Sequence, residues 1–526
     1  MKQVFLQTFG TPVPEDVETE LVASYFEKKD KSTAYHVISD KTVADLDLNT
    51  LFEYLDRTTS PVGKQVLYYK LRTIQKHSSN EKEEALIRKF IEDPEFRVTV
   101  QLQLSKLDHR NGYYINTLFQ DEHLSPPHWF NVIRFLAFTN MVSLVLLPFS
   151  INFLFIVLAV FAVNTIIHYW NKNNLYQYLG SVPQLLKLSA IARELYRFED
   201  LKFISADVPE SLNVLQKISK RMSFFRLESG LQSEIQALTW GILELFKIMF
   251  LIEPLLLFGV LRLLDTRRKE IETLFYFTGE TDALISIASL RFSSDLTCTP
   301  TITPEAAIKA DAVYHPLIEN CVGNAIDTDL KSVLLTGSNM SGKTTFIRTI
   351  GLNVITALTL NTCFAKSFST ARFAVYSAIR ISDDLLNDRS YYFEEVLTIK
   401  SMIDASASDK PGLFLLDEIY KGTNTVERIS AGKAVLSELC RHQNLVFVST
   451  HDIELTDLLQ DSYALYHFSE KVDHANVDFD YVLKPGKLTQ RNAIRILEIN
   501  GYPEAVIKEA VNLSQNFDKM LRSPKS

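Results

Sequence analysis

LLTGSNMSGKTTFIRTIGLNV, residues 334–354 of the 526-residue chain, decides how the rest is read. Its first residues form an apolar run that suits a buried strand. A loop with glycine at both ends follows, then Lys343-Thr344-Thr345 and a stretch with helical spacing. Gly337, Ser338, Asn339, Met340, Ser341, Gly342, Lys343 and Thr344 fit the spacing G-x-x-x-x-G-K-[ST] without exception. The glycines permit a tight backbone path, so that successive N–H groups point at phosphate oxygens. Lys343 then reaches the β- and γ-phosphates and the Thr344 hydroxyl ligates Mg²⁺. A helix expected from Thr345 adds its positive N-terminal end. ATP and Mg²⁺ are the cofactors this loop implies.

Two more segments end in polar residues. In GLFLLDEIYKGTNT, residues 412–425, an apolar run delivers Asp417 and Glu418 to a strand tip. Asp417 is expected in the Mg²⁺ shell and Glu418 is expected to polarise the attacking water. In LVFVSTHD, residues 445–452, a third strand ends beside His451, which the order of elements brings near the γ-phosphate. Parallel strands with a site at their carboxyl ends follow from this pattern. The C-terminal part reads as an α/β P-loop NTPase with a mostly parallel sheet, and as an ATPase with Glu418, Lys343 and His451 in catalysis.

The wording of these segments is similar to the MutS family of DNA mismatch-repair ATPases. TGSNMSGKTTFIRTIG resembles its Walker A segment, LLDEIYKGTNT its Walker B segment and STHDIELTDLL its histidine switch. The resemblance implies further roles. Ser390, in SDDLLNDRSYYFEEVLTI, corresponds to a serine that reaches the nucleotide of the partner subunit, with Glu395 the acid that follows. His315, in HPLIE, corresponds to the mouth of the nucleotide pocket. Residues 481–510 resemble the segment that closes a homodimer through the ATPase domains, and LFEYLDRTTSPVGKQVLYYKLR, residues 51–72, resembles the opening of the helical core. The match departs from the family at Val426-Glu427-Arg428, where an aromatic-Asp-Gly is usual, and at Tyr391. The family's mismatch-reading domains have no counterpart ahead of residue 40, so an ATP switch engaging DNA with low specificity is expected. A membrane-anchored switch acting on a protein partner without DNA is the alternative.

Upstream of the ATPase the chain reads as all-helical. Five segments are expected: 1–39; a helical core over 40–128; an apolar hairpin over 129–171; a helical lever over 172–295; and the ATPase domain with C-terminal dimerisation helices over 296–526. Ser60-Pro61 marks one helix start. The opening residues have no apolar core of signal-peptide type. A net charge of −8 excludes a global basic surplus but not a local basic patch. Four scattered cysteines without metal-ligand spacing read as reduced thiols.

Residues 135–171 contain no Lys, Arg, Asp or Glu, and residues 148–152 cut the run in two. The second half approaches the roughly 20 residues a membrane-spanning helix needs. Trp129, Tyr169 and Trp170 sit where interfacial aromatics belong, and Arg134 and Lys172 flank the run. A buried soluble hairpin is the alternative. Residues 237–264 are also apolar but carry Glu244, Lys247 and Glu253, with Pro254 expected as the interruption. Because charges in a span are costly, this segment is expected along the interface or packed on the hairpin. A cytoplasmic ATPase held on the bacterial inner membrane, in contact with lipid, is the expected location.

Overall fold

The computed structural model describes residues 1–12, 18–76, 81–122, 130–174, 176–228, 236–294, 296–338, 340–380, 391–472, 477–488, 493–499 and 501–522. Its contacts divide the chain into two compact units. One comprises Met1–Asp30, Leu55–Lys70 and Asn80–Ser293, and the other Lys31–Tyr54, Leu71–Ser79 and Ser294–Ser526. Residues 31–54 therefore group with the second unit, whereas the sequence suggested a helical core from residue 40. Two contacts explain the difference. Strand His36–Val37 pairs antiparallel with Thr73–Ile74. The fully buried Asp45 carboxylate accepts bonds from Ser377 Oγ, Ile379 N and Arg380 N, at 2.7, 3.0 and 2.9 Å.

The first unit is helical. Helix Pro61–Arg72 starts at the expected signal, with the Ser60 hydroxyl accepting from Gly63 N at 3.1 Å. Asp282, on helix Arg268–Phe292, accepts from Thr59 N and Ser60 N. Burial pushes its carboxyl up to about 7, against the pull of these donors.

Further along lie α1 (Phe130–Leu146), a 3-10 turn (Leu147–Phe149) and α2 (Asn152–Asn174), with α1 packed on α2. Residues 130–149 and 152–170 are each long and apolar enough to cross a membrane, and only 17% and 22% of them are buried. Trp129 lies outside the described residues. Next come α3 (Gln236–Phe250) and α4 (Ile252–Asp265), and α3 packs on both α1 and α2. The interruption falls at Leu251, in left-handed conformation with φ 48°, and not at Pro254. Pro254 sits in the first turn of α4, where a missing N–H leaves no helical bond unmade.

In the second unit, β1 (Ser332–Thr336), β2 (Ala374–Ala378), β3 (Gly412–Asp417), β4 (Leu445–Ser449), β5 (Tyr463–His467) and β6 (Lys484–Pro485) form one sheet in the order β2-β3-β4-β1-β5-β6. All neighbours are parallel except β5 and β6. Helices α5 (Lys343–Leu360), α6 (Tyr391–Ser406) and α7 (Thr425–Leu439) alternate with the strands. Leu334, Phe414, Leu416, Val446 and Val448 are fully buried, as near-continuous apolar runs in a parallel sheet should be. The register pairs Asp417 with Ser449 and Ser449 with Leu335. Three strands therefore end at one edge, where the site is built.

Candidate active site

The loop after β1 needs both of its glycines. Gly342 has φ 104°, and a Cβ on Gly337 (φ 154°) would stand 2.7 Å from Ser341 Oγ and 2.9 Å from the Phe468 carbonyl. Ser341 Oγ donates to Ser338 O at 2.8 Å and braces the turn. Met340, with φ 71°, is exposed, and Asn339 lies outside the described residues. Helix α5 begins at Lys343, two residues before the expected Thr345, so Thr344 and Thr345 belong to its first turn. Lys343 Nζ donates to Gly337 O and Ser338 O at 2.9 and 2.8 Å. Burial lowers the Lys343 pKa, while the carboxylates of Glu418 and Asp417 oppose the shift.

Thr344 and Asp417 meet at the strand tips, Oγ1 donating to Oδ2 at 2.8 Å. The other Asp417 oxygen accepts from Ser449 Oγ. Ser449 was not singled out in the sequence, though its place at the end of a buried apolar run is the signal that finds it. Next to Asp417, Glu418 adopts φ 52° and its N–H donates to Ser449 O at 3.0 Å. Glu418 Oε1 lies 2.9 Å from His451 Nε2, and Oε2 lies 3.2 Å from Lys421 Nζ. Burial alone would raise the Glu418 carboxyl, but His451 and Lys421 outweigh it and hold the group down at about 2. It is an ionised acceptor at neutral pH. Below this turn, the buried Glu395 of α6 accepts from Tyr420 N, and burial raises its pKa.

Arg428 grips Asp452 through two bonds, Nε at 2.8 Å and Nη2 at 2.6 Å. The Asp452 N–H donates to Thr450 Oγ1 at 3.0 Å, so both neighbours of His451 are tied down. The departure at residues 426–428 thus supplies a clamp on the histidine loop. Asn424 caps α7 by accepting from Glu427 N at 3.0 Å. Ser338 Oγ donates to Glu470 at 2.8 Å, an acid that sequence reading passed over.

Beside the loop lies a cavity of about 500 Å³, lined by residues including Ile318, Cys321, Gly342, Thr345, Glu418 and Tyr481. Among the described residues, His315 is not part of this lining. It is buried, and desolvation lowers its pKa to about 4, with the nearby Arg348 cation adding to the shift. The segment around His315 reaches the cavity through Ile318 and Glu319 instead. Ser390 lies outside the described residues. No group of three or more His, Cys, Asp and Glu that could hold a metal ion occurs among the described residues. Thr344 with Asp417 is the sparse oxygen set that suits Mg²⁺, an ion that keeps waters and substrate phosphates as its other ligands.

Residues 333–518 match the family described as MutS domain V. The chain is similar to the DNA mismatch repair protein MutS of Clostridium kluyveri, 30% identical over 255 residues, which cover 46% of this chain and 29% of that protein. Its identity to MutS of Natronomonas pharaonis is 29% over 250 residues, covering 45% and 28%. For MutS of Listeria welshimeri it is 27% over 283 residues, covering 51% and 32%. The matched region spans less than a third of each relative's length. The strand-tip residues of the site just described lie within the residues that match MutS domain V.

Proposed function

We propose that the chain binds and hydrolyses ATP and works as a dimeric switch of MutS type. The observation that carries the reading is the convergence of Thr344–Asp417 and Glu418–His451 beside a phosphate-cradling loop. A bound Mg²⁺ would neutralise phosphate charge, held by Thr344 and Asp417. The loop N–H groups and Lys343 bind the phosphates. Glu418, ionised and oriented by His451, accepts a hydrogen bond from the attacking water. Water adds to the γ-phosphorus, the bond to the ADP oxygen breaks, and phosphate leaves.

Family kinship supports two ATPase domains closing on each other, with Ser390 completing the partner's site, and supports engagement of DNA. The outward-facing apolar side chains of α1 and α2, among them Phe135, Phe138, Phe155 and Ile166, favour attachment to a membrane over a buried soluble hairpin. Steady-state ATPase assays of wild type and Lys343→Ala test the enzymatic reading: the variant should lose ATP binding and turnover together. Titration with duplex DNA at rising salt tests the other part. Affinity should fall steeply with salt as phosphate contacts are screened. No binding at low salt would favour a protein partner without DNA.

A further inference from the structure

Helices α3 and α4 are too short to cross a bilayer singly. At 15 and 14 residues they measure about 22 and 21 Å, against a hydrocarbon core of about 30 Å. Their contacts order them in depth against the hairpin. Met249, near the end of α3, offers its carbonyl to Asn164 of α2 at 2.8 Å. Five residues earlier, Glu244 lies 3.2 Å from His168, one turn further along α2. As residue number rises along α3 it falls along α2, so the two run antiparallel and α3 climbs from the Asn174 end of the hairpin toward its tip. After the break at Leu251 the direction reverses. Glu253 of α4 returns to His168, 3.8 Å away, and α4 goes on to pack against helices Thr117–Gln120 and Val208–Glu228.

A break of this kind leaves helical carbonyls without their usual partners, and in lipid no water replaces them. Here the Met249 carbonyl accepts two side-chain bonds, from Asn140 of α1 and Asn164 of α2, both at 2.8 Å, and both asparagines are fully buried. Along the hairpin the break lies roughly 9 Å from the end of α1 and roughly 18 Å from the start of α2, at 1.5 Å per residue. That is near the middle of a ~30 Å core. The charges that argue against a span turn inward on one another. Lys247 Nζ sits 2.8 Å from Glu253 and 3.4 Å from Glu244. Leu245 and Phe246 face outward, with more than half of each side exposed.

We propose that α3 and α4 form a re-entrant hairpin that enters the bilayer beside α1 and α2, turns back at Leu251 near mid-depth, and presents Leu245 and Phe246 to lipid acyl chains. The inference rests on the reading that α1 and α2 span the membrane. The Asn140–Met249–Asn164 bonds and the Lys247 cluster are what let a broken, charged segment lie at that depth, because the carbonyl freed at the break and the charges beside it meet protein groups.

Lipid-borne quenching tests it. In a background with Cys298→Ser, Cys321→Ser, Cys363→Ala and Cys440→Ser, selected for retained ATPase activity, single cysteines are placed at Phe138, Ile166, Leu245, Phe246, Phe250 and Lys269. Each is labelled with nitrobenzoxadiazole and reconstituted in phosphatidylethanolamine–phosphatidylglycerol vesicles carrying acyl-chain nitroxides. Labels at Leu245 and Phe246 should lose most of their fluorescence, as those at Phe138 and Ile166 do, while the label at Lys269 keeps it. Quenching at 138 and 166 but not at 245 and 246 overturns the re-entrant hairpin and leaves the anchor standing. No quenching at any of the four overturns both. Dithionite bleaching of the 250 label only from the face opposite Lys269 means a full crossing, and also overturns the proposal.

Discussion

Arg428 and Asp452 bear on the proposed chemistry through the loop that carries His451. A bidentate guanidinium–carboxylate pair fixes orientation as well as charge, and an ammonium cannot reproduce the fork. Arg428→Ala should therefore lower the hydrolysis rate constant by about tenfold with ATP affinity nearly unchanged, since orientation and not binding is lost. Arg428→Lys should recover little of it. Rapid-quench hydrolysis and equilibrium ATP binding, measured on the same samples, check the split; equal losses in both would show a binding role. Glu418 permits a pH prediction. Its folded pKa, about 2, lies below the ordinary 4.5 of a glutamate, so its pairing contributes stability above about 4.5 that is lost as pH falls toward 2. The difference in melting temperature between wild type and Glu418→Gln should shrink as pH falls from 4.5 toward 2. A difference that does not change over that range would contradict this origin.

At the scale of elements, β1, β3 and β4 were legible because strands buried on both faces must be apolar throughout, and each ends in the polar residues the site uses. The 3-10 turn and start of α2 were legible from Pro148 and the asparagine that follows. The break at Leu251 was not, because leucine carries no turn signal and tertiary contacts from Asn140 and Asn164 hold it. The same holds for Asp45, whose partners lie more than 300 residues away. It holds too for His315, whose motif gave its neighbourhood but not its distance from the cavity wall. Asn444 shows how such contacts fix an element. Its side chain accepts from Gly412 N at 2.7 Å and donates to Ser406 O at 2.9 Å, joining the starts of β3 and β4 to the end of α6. Asn444→Ala leaves two buried backbone groups unpaired and should cost about 2–4 kcal/mol, read as a lowered midpoint in chemical denaturation. A loss below about 0.5 kcal/mol would mean the strands need no such tie.

For the whole molecule, the proposed membrane attachment and the proposed nucleotide-driven pairing are tested separately. Wild-type protein should sediment with membranes and leave them only with detergent, and Phe138→Asp with Ile166→Asp should release it, since each charge at mid-span costs about 2.5–3.5 kcal/mol. Protein found in the supernatant without detergent would remove the anchor. In detergent, the Glu418→Gln chain with ATP and Mg²⁺ should sediment as a dimer and with ADP as a monomer; a monomer at saturating ATP would remove the closing of two sites on each other. Neither outcome bears on the chemistry at the strand tips. Single-turnover hydrolysis beside equilibrium ATP binding, for wild type and Glu418→Gln, tests that most directly. The variant should bind ATP as tightly as wild type while hydrolysing it about a hundredfold or more slowly, because only the carboxylate that orients water is gone. Hydrolysis at the wild-type rate would contradict the assignment of Glu418 and the reading built on it.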